Sequence, residues 1–186
     1  LMTSALKPPV AAAHTLALRQ PEKADGLRVY ELIEQSPPLD LNSCYSYLLH
    51  SWHFADTCIL AEEGDVLAGY ISGYIPPKQH DTLFIWQVVV GERYRGTGLA
   101  LTLLAGLLAR HSCRDVRFLE TTVSPSNQAS ARLFTKLAER LNCPLTISTH
   151  FEADLFGTHG HEAEQLFRIG PFPAPLANSP QNSQEK

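Results

Sequence analysis

The spacing of apolar and polar positions divides this 186-residue chain into short elements of changing period. Residues 14–19 alternate weakly, as a first strand would. Residues 25–34 carry Leu27, Val29, Leu32 and Ile33 on a helical stripe that Pro37-Pro38 brings to an end. Asn42 or Ser43 suits the cap of a second helix through Tyr45, Leu48, Leu49 and Trp52. Residues 57–61 and 66–75 read as a hairpin joined through Glu62-Glu63-Gly64-Asp65. A strand at 83–90 comes next, followed by a helix at 99–109 that is apolar almost all round and therefore buried. A strand at 116–123 precedes an amphipathic helix at 127–141 bearing Ala131, Leu133, Phe134 and Leu137. Residues 145–149 and 165–169 supply two weaker strands. The order βααβββαβαββ predicts an α/β fold, a mixed sheet covered by helices on both faces. It occupies a single domain over 14–170, with a flexible leader at 1–13 and a disordered tail at 171–186.

Composition narrows the partners. The chain is 44% apolar, ample for one core, and its net charge of −4 offers nucleic acid no general footing. Cys44, Cys58, Cys113 and Cys143 have irregular spacing and no Cys-x-x-Cys pair, so they read as reduced thiols of a cytoplasmic protein. No apolar run has the length of a membrane span, and none of the chemistry calls for a metal.

The segment with the clearest chemistry is Arg93-Tyr94-Arg95-Gly96-Thr97-Gly98-Leu99-Ala100, which lies between a strand and a helix. A glycine turn opening a helix aims several unpaired N–H groups at one point, with the helix dipole behind them. Arg93 and Arg95 add fixed positive charge, so the turn is a pyrophosphate site. Thr97 stands where a Walker loop needs Lys, and Leu101 where a dinucleotide fingerprint needs a small residue. Both of those readings fail.

Arg93, Gly96 and Gly98 fit Arg/Gln-x-x-Gly-x-Gly/Ala, and by this motif the chain resembles the GCN5-related N-acetyltransferases. A second segment, Val123-Ser124-Pro125-Ser126-Asn127 with Ser130-Ala131-Arg132-Leu133-Phe134, resembles the stretch that follows strand five in that family. The resemblance implies acetyl-CoA as co-substrate, held by the glycine turn and by Asn127, which also suits a helix N-cap. It implies that strands four and five splay apart, so that the pantetheine arm lies along Val88 and Val90 as a pseudo-strand. Many members carry a tyrosine where this chain has Phe134, and a phenyl ring cannot protonate the departing thiolate.

A narrower likeness comes from Pro37-Pro38-Leu39-Asp40-Leu41-Asn42-Ser43-Cys44-Tyr45-Ser46-Tyr47-Leu48-Leu49, from 83–88 and from Phe167-Arg168-Ile169-Gly170-Pro171-Phe172. These segments resemble the L-2,4-diaminobutyrate acetyltransferases of ectoine biosynthesis. That resemblance implies acetyl transfer to the γ-amino group of L-2,4-diaminobutyrate, in a homodimer. With no cysteine placed beside a base in either motif, direct attack in a ternary complex is expected.

Several residues are candidates for the acceptor side. Asp40 and Asn42 lie in the segment expected to cover the acceptor. Glu120 alternates with Thr122 on strand five, so both can face the cleft; Glu120 then serves as base directly or through a water, or else pairs with Arg117 or Arg132. Trp86, two residues before Val88, is expected on the same face, where an indole can wall the amine channel. Tyr45 and Tyr47 are the nearest phenols to act as acid. His159, His161 and Glu162 form a polar cluster without a third metal ligand, suited to a loop that closes on substrate or meets a second subunit. Two other readings stay open: an enzyme for another small amine, or a module that binds acyl-CoA without turnover.

Overall fold

The computed structural model describes residues 15–158 and 160–173. The expected leader, His14, His159 and residues 174–186 lie outside the described residues. Seven strands form one sheet in the order β1-β2-β3-β4-β5-β7-β6. They are β1 (Ala17–Arg19), β2 (Ile59–Glu63), β3 (Val66–Tyr74), β4 (Thr82–Val90), β5 (Phe118–Val123), β6 (Leu145–Phe151) and β7 (Glu164–Ile169). The helices are α1 (Asp25–Glu34), α2 (Cys44–His50), α3 (Leu99–Leu108) and α4 (Gln128–Leu141). The expected order is therefore present, with boundaries shifted by a few residues. Ser43 caps α2 by accepting the Ser46 N–H at 3.3 Å. That helix ends at His50, short of Trp52, which is 54% exposed beneath the Lys23 ammonium.

The two helix layers account for the two apolar faces. Leu103, Leu104 and Leu107 of α3 and Phe134 and Leu137 of α4 pack on Ile59, Ile85, Leu119 and Phe167 of the sheet. On the opposite face Val29 and Ile33 of α1 and Tyr47 of α2 cover Cys58, Leu60, Tyr70 and Val89. Arg19 ties α1 to the sheet, reaching Asp25 at 2.7 Å and Glu62 at 2.7 Å.

Two departures from regular pairing shape the middle of the sheet. Ser72 pairs with Gln87 while Gly73 pairs with Ile85, which leaves Trp86 as the extra residue of a β-bulge. A bulge reverses the side-chain alternation beyond it. Leu83 and Ile85, then Val88 and Val90, all turn to the α3 layer, whereas Val89 joins the α2 layer. Trp86 stacks on His50 of α2, with ring centroids 4.3 Å apart. The expectation that Trp86 and Val88 share a face is thus corrected: simple alternation cannot see an inserted residue. The second departure is the parallel β4–β5 ladder, which holds three pairs, Thr82–Phe118, Leu83–Leu119 and Phe84–Glu120, before the strands part.

The C-terminal boundary also moves. Phe172, placed by composition in a disordered tail, is 1% exposed and packs into the α3–α4 core. Its N–H donates to the Arg117 carbonyl at 2.7 Å, and Arg117 Nε donates back to the Phe172 carbonyl at 3.1 Å. Proline-rich composition hid one aromatic anchor. Replacing Phe172 by alanine should lower the unfolding free energy by about 3–5 kcal/mol, the usual cost of deleting a buried phenyl ring. Urea denaturation checks this, and an unchanged midpoint would return Phe172 to the tail.

Candidate active site

Where β4 and β5 part, a cavity of about 320 Å³ opens between them. Its walls come from five places: the α1–α2 connection, β4, β5 with the turn after it, α4, and the β6–β7 side. A second concavity, about 400 Å³ beside Cys143 and Pro144 at the end of α4, lies away from the parted strands.

At one end of the notch stands the glycine turn. A single 3-10 turn, Glu92–Tyr94, drops the chain off β4, and α3 begins at Leu99. Gly96 and Gly98 have φ of 76° and 84°, left-handed values that favour glycine, and no heavy atom lies within 4 Å of where a Cβ would stand on either. The turn is therefore open on the side to which the first N–H groups of α3 point. Leu99, 5% exposed, anchors it in the core, and Ala100 occupies the first turn of the helix. Thr97 Oγ1 donates to the Tyr94 carbonyl at 2.7 Å. The Arg93 guanidinium is exposed and 3.4 Å from Glu63, and Arg95 Nε donates to the Val90 carbonyl at 3.2 Å. Both arginines thus stand beside the turn on short tethers.

Further in, Val88 lines the cavity and Val90 packs against the α3 layer. Beyond Phe84 the backbone groups that β4 turns toward β5 face the notch in place of a strand. Asn127 satisfies both of its readings: its side-chain oxygen accepts the Ser130 N–H at 3.1 Å as the cap of α4, and the residue lines the cavity. Phe134, 2% exposed, closes the floor.

The acceptor wall combines expected and unexpected residues. Asp40, Asn42, Trp86 and Thr122 all line the cavity. The Gln87 amide donates to the Asp40 carbonyl at 2.7 Å and holds that connection against β4. The Asn42 N–H donates to the Tyr47 hydroxyl at 3.0 Å, so this phenol is engaged inside the α2 layer. Tyr45 is 67% exposed on the outer side of α2 and is not brought to the cavity. Glu120 does share the face of Thr122, but one step deeper, opposite Phe84, where the strands are still paired. There its carboxylate takes a hydrogen bond from Arg168, its register partner on β7, rather than from Arg117 or Arg132. It does not line the cavity.

Two residues that sequence reasoning passed over or set aside take its place. Glu164, the first residue of β7, lines the cavity and stands 3.8 Å from His161 Nε2. His161 stacks on Phe156 at 4.1 Å, and its Nδ1 is 2.7 Å from the Glu162 carbonyl. A carbonyl only accepts, so Nδ1 carries the hydrogen of that bond and Nε2 is the nitrogen turned toward Glu164. Glu162 bonds to the Ser126 hydroxyl and ties this loop to the approach of α4. The one signal that pointed here was the His-x-His spacing. Among the described residues no three His, Cys, Asp or Glu side chains gather as a metal set, and no helix is long and apolar enough to cross a membrane.

The sequence model of the acetyltransferase (GNAT) family matches residues 27–138. The chain is 48% identical over 164 residues to the L-2,4-diaminobutyric acid acetyltransferase of Chromohalobacter salexigens, covering 87% of this chain and 84% of that one. It is 46% identical to that of Halomonas elongata, covering 86% and 83%. Among solved structures, diaminobutyrate acetyltransferase EctA from Paenibacillus lautus, in complex with L-2,4-diaminobutyric acid and coenzyme A, superposes with a TM-score of 0.84 at 44% identity. That match covers 88% of this chain and 99% of the other. The chain belongs to the acetyltransferase (GNAT) family, and its co-substrate is acetyl-CoA.

Alanine at position 98 would place a Cβ at a left-handed φ, a strain of about 1–2 kcal/mol that bends the turn away from its anion-binding form. Titration calorimetry of Gly98→Ala with coenzyme A should show affinity reduced about tenfold, as 1.4 kcal/mol implies. Unchanged affinity would remove the turn from the coenzyme site.

Proposed function

We infer that this enzyme transfers acetyl from acetyl-CoA to the γ-amino group of L-2,4-diaminobutyrate, the reaction that yields the ectoine precursor. The observation that carries the reading is the pair of carboxylates, Asp40 and Glu164, on different walls of a cavity whose lining includes no lysine or arginine among the described residues. An acceptor with two ammonium groups fits such walls, and the relatives at 42–48% identity carry diaminobutyrate in their names.

The chemistry follows from that placement. The γ-ammonium must lose one proton before it can attack, and a second, which passes to solvent, as the amide forms. We assign the first to His161 Nε2, which lies beside Glu164 and has its other nitrogen committed to the Glu162 carbonyl. Trp86 walls the channel, while Asp40, Asn42 and Thr122 hold the α-amino end out of reach of the thioester. Holding two bound reactants in line supplies much of the rate, up to roughly 7–11 kcal/mol in favourable cases. A free N–H of β4 near Val88 is the donor for the developing oxyanion. Attack is direct, within a ternary complex. With Phe134 in the tyrosine position and no tyrosine in the lining, the leaving thiolate takes its proton from solvent, since a thiolate is a competent leaving group without prior protonation. Glu120, bonded to Arg168, serves to hold β5 on β7 at the root of the notch.

We place the enzyme in the cytoplasm as a homodimer, with no nucleic-acid or membrane partner. The β6 edge supports the dimer: Ile147 and Phe151 are 51% and 41% exposed on an edge strand without a charged side chain. Sedimentation equilibrium giving a monomer at micromolar concentration would overturn it.

Steady-state assays with diaminobutyrate decide the main reading. Asp40→Asn and Glu164→Gln should each raise the diaminobutyrate KM about tenfold or more, the loss of one charge-assisted contact, while the acetyl-CoA KM stays put. Turnover of another amine but not of diaminobutyrate would overturn the assignment, and coenzyme binding without any turnover would favour a non-catalytic module.

A further inference from the structure

The His161 ring is held by contacts of two kinds, and only one kind ties it to the β5–α4 side of the cavity. It lies flat on Phe156, with ring centroids 4.1 Å apart and planes 20° from parallel. Its Nδ1 is 2.7 Å from the carbonyl of Glu162, the next residue in the chain. Phe156 in turn meets Phe151 of β6 edge-on at 6.4 Å. These contacts all belong to the β6–β7 hairpin. They fix the plane and rotation of the ring relative to the hairpin, and they travel with it.

The contact that leaves the hairpin is made by the Glu162 side chain. Its Oε2 accepts the Ser126 hydroxyl and, at 3.3 Å, the Ser126 N–H. Ser126 stands in a turn with little freedom, preceded by Pro125. The Asn127 N–H donates to the Ser124 carbonyl at 2.9 Å, the Gln128 N–H to the Ser126 carbonyl at 2.9 Å, and Gln128 Nε2 to the Pro125 carbonyl at 2.8 Å. Asn127 then caps α4. The Glu162 carboxylate thus meets two donors on a rigid post, just ahead of a helix N-terminus whose dipole favours negative charge.

We propose that Ser126 and Glu162 are positioning residues: the clamp between them sets the place of His161 in the cavity, and with it the rate at which the acceptor amine loses its proton. The proposal rests on the assignment of His161 as proton acceptor. The need for a clamp is local. The β6–β7 ladder holds the backbone from Glu164 onward, whereas Glu162 lies two residues ahead of it and Gly160 turns the chain at a φ of 70°. A misplacement of about 1 Å at a reacting group can cost a hundredfold in rate. Of the titratable groups on the elements around His161, Glu164 of β7 stands 3.8 Å from Nε2, Glu162 is turned to Ser126, and Asp40 lies on the α1–α2 wall.

The pH dependence of the loss separates positioning from a merely structural role. An alkylammonium of lysine type sheds its proton unaided near about pH 10, so an enzyme whose proton acceptor is misplaced recovers as the pH rises. A structural defect lowers the rate alike at every pH. Ser126→Ala and Glu162→Ala should lower kcat with diaminobutyrate about tenfold at about pH 7.5, leave both KM values unchanged, and approach the parent rate at about pH 10. Ser126→Thr keeps the hydroxyl and should restore the parent profile. Both side chains are exposed, so these substitutions leave the core untouched. Parent-like rates in both alanine variants, beside a pH-dependent loss in His161→Ala, would overturn the clamp alone. A parent-like His161→Ala would overturn the proton-acceptor assignment and the clamp with it. Hydrogen exchange reads the clamp without any amine: with coenzyme A saturating, the amides of residues 160–163 should exchange several-fold faster in both alanine variants, while those of β7 keep their rates. Equal exchange would overturn the clamp whichever amine is the substrate.

Discussion

The parallel ladder between β4 and β5 ends after Phe84 and Glu120, and the rest of the site depends on how the two strands stay parted. Left alone, two strands with free backbone groups would close on each other, because an unpaired peptide N–H or carbonyl away from water is costly. What prevents closure is beneath them. Ile85 of β4 and Leu119 and Val123 of β5 share one core with Leu103 and Leu104 of α3 and Phe134 of α4. The side chains under the notch are packed as in an unbroken sheet while the backbones above have separated. On the proposed reading the open strand edges face the coenzyme's amides, and the same divergence opens the cavity that takes the acceptor.

The sheet, the four helices and their order were legible because each rests on local periodicity, and the glycine turn and the cap of α4 were legible because Gly96, Gly98 and Asn127 carry their geometry in residue type. The acceptor end was read only in part. Asp40, Asn42, Trp86 and Thr122 do line the cavity, but Glu164 and His161 reach it from a strand and loop late in the chain. Their approach is set by β7 inserting between β5 and β6, a long-range choice with no local signature. Glu120 shows the converse. Period-two alternation placed it on the right face, yet the register that gives it to Arg168 is a property of the β5–β7 ladder and cannot be counted along one strand.

The bulge at Trp86 accounts for the division of labour along β4. By adding one residue it lets Trp86 and Gln87 turn to the α2 side while Val88 and Val90 turn to the α3 side. One strand thereby presents side chains to both helix layers along the same stretch. Sequence patterning reads the run from Leu83 to Val90 as uninterrupted because apolar residues populate both sides of the insertion.

Seen mechanically, the backbone joint at the middle of the sheet is three residue pairs long above a continuous core: β1 to β4 lie on one side of it, β5 to β7 on the other. On the proposed reading the coenzyme lies across the gap, so its arm is mortar as well as reagent. Ligand that binds only the folded protein adds about 2.7 kcal/mol of stability at a hundredfold excess over its Kd. On that reading the increment falls between the wall that carries Glu164 and the wall that carries Asp40. On that reading, bound coenzyme adds to the heat tolerance of the enzyme as well as supplying its acetyl group.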